Sequence, residues 1–335
     1  MEPVWKDKDI VISTSTPIEY EVILTDEDGA YDEGIYTGVA TPKPSDNKVK
    51  IRINDFAKNV VNSDVQYEEG LFNKSYTLLG MNNYCKGVGV HYQDNNGGWH
   101  TDWDMFTNNY DYNELGSYNE EKVYLISNPI TEYSNNGLTL ITVFNNTREE
   151  VEVEMEGGDD GGYYMLTLNP YTAGVFQVEL DKGRYSVYYN DEDIIKFNVI
   201  EGCNRYKLHY INAKGGYDTL PIEGKKDKRT DSFEFSYFKK RGNNQTISDY
   251  QMNKFQTNIT PSWVLQTGWL NDEQSKKMYN LFGSHKVWLE DTEEDRIYPV
   301  YITDKNVTYK TYTNNGKKKI SYSINVTSAN TLVKL

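Results

Sequence analysis

Apolar and polar residues alternate one for one in segment after segment of this chain. That two-residue period restricts the chain to strands with one face buried and the other wet. Ile18, Tyr20, Val22 and Leu24 alternate with mainly polar neighbours, Val49, Ile51 and Ile53 do the same, and Val and Glu alternate from Glu149 to Glu156, ending on Met155. Turn-forming residues punctuate the pattern, at Asp26–Gly29 and in the acidic, Gly-rich stretch Gly157–Gly162. Four short strands at close spacing follow, Tyr163–Leu168, Gly174–Leu180, Gly183–Tyr189 and Ile194–Val199, which is the pattern of a β-sandwich. Further strands are read at Ile35–Ala40, Phe72–Met81, Lys86–Tyr92, Val123–Ile126, Leu138–Phe144, Tyr206–Asn212, Ser232–Phe238 and Thr257–Gln266, then at Lys286–Glu290, Tyr298–Thr303, Val307–Thr313 and Lys318–Val326.

Helical signals are few. Asn54 is placed to cap a short helix ending near Val61. Asn271 and Gln274 form a capping box, Gly283 supplies a stop, and Met278, Leu281 and Phe282 give the segment between one apolar face. The expected fold is therefore all-β, mainly antiparallel β-sandwich domains with one or two short helices. Three divisions are expected: residues 1–147, carrying a long aromatic loop at 93–118; a small sandwich-like part at 148–201; and residues 202–335 with the helix 271–282. A chain of 335 residues has room for two or three cores.

Charge and composition narrow the function classes. The formal net charge is −15, a field that repels a phosphate backbone, so no direct sequence-specific nucleic-acid binding is expected. The one basic run, Lys225, Lys226, Lys228 and Arg229, reads as a solvated loop. No segment approaches the ~18 consecutive apolar residues of a membrane span. The charged stretch Glu2–Asp9 is not followed by an apolar run, so no secretory signal is expected. Cys85 and Cys203 form neither a disulfide framework nor a common zinc site. The chain holds 29 tyrosines, residues that suit both strands and binding surfaces.

No catalytic constellation is complete. His91, Asp94, His100, Asp102 and Asp104 are the right types for a divalent metal, but no helical His-x-x-x-His spacing is present and an Asn/Asp-rich turn is the better reading. Asp26, Asp28 and Asp32 fail the calcium-loop pattern, because Tyr31 stands where Gly is required. There is no Gly-x-Ser-x-Gly elbow, no P-loop and no dinucleotide turn. No enzyme activity, cofactor or metal is expected. Aromatic residues are the remaining candidates: Trp99, Trp103, Phe106, Tyr110 and Tyr112 crowd one stretch, where they could anchor a protein interface or stack on sugars. Trp263, Trp269 and Trp288 fall in or beside strands and are read as packing residues.

Two segments carry a resemblance. Residues 18–61, IEYEVILTDEDGAYDEGIYTGVATPKPSDNKVKIRINDFAKNVV, and residues 210–290, with YINAKGGYDTLPIEG and TPSWVLQTGWLNDEQSKKMYNLFGSHKVWLE, resemble virion proteins of tailed bacteriophages that infect Bacteroidetes, the crAss-like phages among them. Gly215-Gly216-Tyr217-Asp218 and Thr267-Gly268-Trp269-Leu270 are the more specific elements. The resemblance implies a structural ring protein of the neck or tail, below the portal. Its partners would be copies of itself in a cyclic homo-oligomer and other tail, neck or portal proteins, and it would reside in the virion after assembly in the host cytoplasm. The competing expectation is a carbohydrate-binding or adhesin module using the aromatic residues 99–112.

Overall fold

A computed structural model describes the chain outside residues 1, 4–7, 26–30, 63, 65–69, 82, 95, 109–119, 129–131, 203–204, 224–225, 239–251, 271, 304–307, 315–316, 331 and 335. Over 2–3, 31–33, 132, 226, 230–238, 252–259, 272–274, 276, 308–310, 313–314, 317–319 and 332–334 it describes the backbone. The chain is all-β and multi-domain, with two short helices among the described residues, α1 (Asn54–Val60) and α2 (Asp272–Gly283). It divides into two compact units: residues 1–201 with 211–219, and residues 202–210 with 220–335.

The first unit begins with a five-stranded sheet. Its order is β1 (Glu2–Pro3), β8 (Trp99–Thr107), β7 (Cys85–Gln93), β3 (Ile18–Thr25), β4 (Tyr31–Ala40). A ribbon of β2 (Asp9–Ser13) and β5 (Lys48–Arg52) and the helix α1 cover one face. Both ribbon strands alternate exposed and buried residues, so Ile10, Ile12, Val49 and Ile51 meet Val22, Val88, Val90 and Phe106 in one core. Asn54 is not the helix cap. Ile53 holds that position with no side-chain cap bond, and Asn54 is buried, its Oδ1 accepting from the Lys8 amide.

The rest of the first unit is a sandwich. One sheet runs β10 (Glu132–Ser134), β16 (Glu192–Ile200), β15 (Gly183–Tyr189), β12 (Val151–Gly157), β13 (Gly162–Leu168). The facing sheet runs β6 (Leu78–Met81), β14 (Ala173–Glu179), β11 (Leu138–Asn145), β9 (Val123–Leu125). One core holds Val123, Ile141 and Val143 together with Val153, Met155, Leu166, Val187 and Phe197. The division expected at 147 therefore falls inside this sandwich, because residues on both sides of it fill the same interior. Only Leu78–Met81 of the strand expected from Phe72 pairs; the preceding turn is held by Gln177, whose Nε2 donates to the carbonyls of Gly70, Asn73 and Tyr76, each at 3.0 Å.

Strand β11 is buried along its whole length. Ile141 and Val143 point into the sandwich core, and residues 211–219 contribute to the other side. The Thr219 hydroxyl accepts from the Leu140 amide, the Thr142 hydroxyl accepts from the Tyr217 amide, and Asn212 Nδ2 donates to the Ile126 carbonyl. A Cβ on Gly216 would lie 2.9 Å from the Ile126 carbonyl oxygen, so only glycine lets the two backbones approach this closely.

Most of a nine-stranded sheet lies in the second unit; Ile211 and Tyr217–Thr219, at the ends of two of its strands, are grouped with the first. The sheet's main path is β18 (Tyr217–Ile222), β17 (Tyr206–Ile211), β21 (Val287–Asp291), β22 (Arg296–Ile302), β24 (Lys317–Ser328), β20 (Met252–Gln266), β19 (Lys226–Phe238). β23 (Thr308–Asn314) also pairs with β24, and β25 (Leu332–Lys334) with β20. Met278 and Leu281 of α2 are buried with Trp263, Ile320, Tyr322 and Ile324, and Phe282 packs against them. The Lys226–Arg229 run is the start of β19, not a loop, and Lys228 Nζ lies 3.4 Å from Glu294. Lys225 and Asn271 lie outside the described residues.

Candidate binding site

Of the stretch 93–118 expected to be a long loop, residues 93–107 fall in a hairpin, and 109–118 lie outside the described residues. Gln93 pairs with Trp99, and the pairing continues residue by residue to Cys85 opposite Thr107. The connection is tight because Asp94 organises it. Its Oδ1 accepts from the amides of Asn96 and Gly98, both at 2.8 Å, and its Oδ2 lies 2.8 Å from His100 Nε2. The His100 ring and these amides hold the Asp94 carboxyl below the ordinary carboxylate range.

This register sorts the aromatic residues onto two faces. Phe106, with Val88 and Val90, points into the core and is fully buried, so it is not an interface residue. Trp99 and Trp103 lie on the other face. Trp103 stands opposite Gly89, where an added Cβ would come within 2.6 Å of the indole's own Cβ, and the ring is partly buried. Trp99 is 62% exposed. Its indole stacks on His91, centroids 4.6 Å apart and planes within 2° of parallel, and the His91 Nδ1 is 2.9 Å from the Thr101 hydroxyl. That contact fixes one face of the indole. Tyr110 and Tyr112 lie outside the described residues.

Beside Trp99 lies an open groove of about 470 Å³, lined by Glu19, Tyr20 and Glu21 of β3, Thr37, Gly38 and Val39 of β4, and Trp99 itself. Glu19 is opposite Val39, and Glu21 is flanked by Thr37 and His91, so carboxylates, hydroxyl and aliphatic group share the face that carries Trp99. None of the lining residues is basic. Val39 is 68% exposed, unusual for a valine on a sheet. Reasoning from the sequence missed Glu19, Glu21, Thr37 and Val39 as site residues, although the signal was present: Glu19 and Glu21 are the outward positions of the strand whose inward residues were recognised.

The other candidates are dispersed. His100 pairs with Asp94, the Tyr92 hydroxyl is 3.4 Å from Asp102, and Asp104 is bonded to Lys8 at 2.5 Å. Among the described residues no group of three His, Cys, Asp or Glu side chains is arranged to hold a metal. Asp26 and Asp28 lie outside the described residues, and only the backbone of Asp32 is described. Burial pushes the Cys85 thiol up to about 12, which keeps it protonated and unreactive; Cys203 lies outside the described residues. Trp263 is in the core, whereas Trp269 is half exposed beside Tyr312, the ring centroids 5.9 Å apart. No described helix is long and apolar enough to cross a membrane. No protein-family model matches the chain, and no curated protein sequence matches it.

Proposed function

We propose that this chain is a non-catalytic structural subunit that works by assembling with copies of itself into a closed ring, as a neck or tail component of a tailed-phage virion. The observation that carries the reading is the ribbon of β19 and β20. Its two strands pair from Lys226 opposite Leu265 to Phe238 opposite Met252. β24 joins β20 only over Ser262–Gln266, and β25 only over Thr257–Ile259. A strand of 13 residues is about 40 Å long, and among the described residues nothing pairs with the outer edge of β19. A long open edge is a template for strand pairing, and natural proteins cover such edges or blunt them. A neighbouring copy that covers β19 with a different part of its own surface makes a head-to-tail contact, and a head-to-tail contact whose rotation closes gives a ring. The phage-like segments at 18–61 and 210–290 supply the virion context for that assembly.

Native mass measurement and negative-stain imaging of the purified chain test the reading, with a cyclic oligomer expected. Excising residues 234–257 and joining Phe233 to Asn258 through Asn-Gly should give a folded monomer. An intact chain that stays monomeric at the highest soluble concentration sinks the proposal.

A further inference from the structure

The groove beside Trp99 has a chemistry that ring assembly does not use. We infer that it binds a neutral pyranose sugar of a glycan chain, the indole packing on the ring's C–H face and Glu19 and Glu21 accepting its hydroxyls.

Four features of the groove support this. Trp99 is exposed, with one face of its indole stacked on His91 in a parallel plane. A flat apolar surface held in place before binding loses little side-chain freedom on binding. Next to it stand two carboxylates and the Thr37 hydroxyl, on adjacent strands of one face. O–H···O⁻ hydrogen bonds are among the stronger polar contacts a protein makes, and a polyol offers several donors. The groove volume also falls within the roughly 300–1,000 Å³ of small-molecule sites, more space than a single ammonium or guanidinium group would fill. Exposed Val39 supplies a second apolar surface on the β4 strand of the groove. The rival occupant is an arginine-bearing peptide, which would use the same indole by cation–π contact and the same carboxylates by charge.

The test screens the intact chain on an array of neutral oligosaccharides, with arginine-rich peptides assayed in parallel. Indole fluorescence then serves to titrate any neutral oligosaccharide retained. The expected result is binding to at least one neutral oligosaccharide, little affected by salt. Trp99→Ala should weaken it at least tenfold, Trp99→Phe less, and Glu19→Gln with Glu21→Gln severalfold, all with the wild-type melting curve. Absence of binding to every neutral oligosaccharide at millimolar concentration overturns the inference, as does binding that survives Trp99→Ala. Salt-sensitive capture of the peptides alone also overturns it and assigns the groove to a basic partner.

Discussion

The amide of Gln177 faces three backbone carbonyls, and its Oε1 accepts from the Phe72 amide, so one buried side chain holds the turn at 70–76. Gln177→Ala should cost about 1–3 kcal/mol, because the buried Gly70 carbonyl and the carbonyls of Asn73 and Tyr76 lose their donor. Gln177→Glu should cost more, since an ionised carboxylate donates nothing to those carbonyls; equal melting temperatures for the two variants would show that the donors are unimportant. In the second unit the guanidinium of Arg205 forks onto Asp291, whose side chain is 1% exposed, with Nε–Oδ1 at 3.0 Å and Nη2–Oδ2 at 2.8 Å. Burial alone would raise the Asp291 pKa, but the Arg205 fork and the amides of Glu293 and Glu294 outweigh it and hold the carboxyl below its ordinary value. The folded state thus gains stability above the unfolded carboxylate pKa, near 4, and loses it as pH falls through the lower folded value. Arg205→Ala should cost roughly 2–3 kcal/mol at neutral pH and move acid unfolding to higher pH, read by circular dichroism. His209 is also held below its usual value, but with its neutral form favoured. Burial outweighs the Glu290 carboxylate 3.1 Å from its Nε2 and keeps the imidazole pKa below the usual value. The unfolded chain takes up a proton below about pH 6.5 while the folded chain does not, so stability declines as pH drops from there. A His209→Gln variant should show a flatter stability curve between about pH 6.5 and 5; an unchanged slope would assign the titration to other groups.

At the scale of elements, the hairpin β7–β8 separates residues that look alike in sequence. Phe106→Ala should cost about 3–5 kcal/mol and Trp99→Ala close to nothing, because one ring is in the core and the other in water. Equal melting shifts would contradict the register. Leu281→Ala in α2 should cost about 3 kcal/mol for the same reason as Phe106. Where aliphatic residues alternate with charged ones, as in β12 and β5, the sequence states both the strand and its buried face. Strand β8 hid from that reading because Trp99, His100, Thr101, Asp102, Trp103 and Asp104 place polar or aromatic residues on both faces, with no aliphatic period to detect. Its turn, Asp94-Asn95-Asn96-Gly97-Gly98, did carry a hairpin signal. The binding groove was less legible still. It needs outward residues of β3 and β4 brought beside the first residue of β8, a juxtaposition set by long-range pairing such as Glu21 opposite His91, which no local pattern encodes.

For the whole molecule, the order of the chain does not follow the order of its units. The backbone passes between them three times, at 201/202, 210/211 and 219/220. Residues 211–219, which carry the Gly215-Gly216-Tyr217-Asp218 element, belong to the first unit and cover the side of β11 away from the sandwich core. Gly216→Ala should therefore destabilise the first unit, by roughly 1–3 kcal/mol for the forced displacement at Ile126; a wild-type melting curve would mean that the approach is not tight. The same threading sets a timetable for synthesis. By the time residue 201 leaves the ribosome the sandwich strands are all present, yet the Leu140 amide, the Thr142 hydroxyl and the Ile126 carbonyl have not met Thr219, Tyr217 and Asn212. That closing segment emerges only with residues 211–219, so folding of the first half is completed by chain that is translated as part of the second.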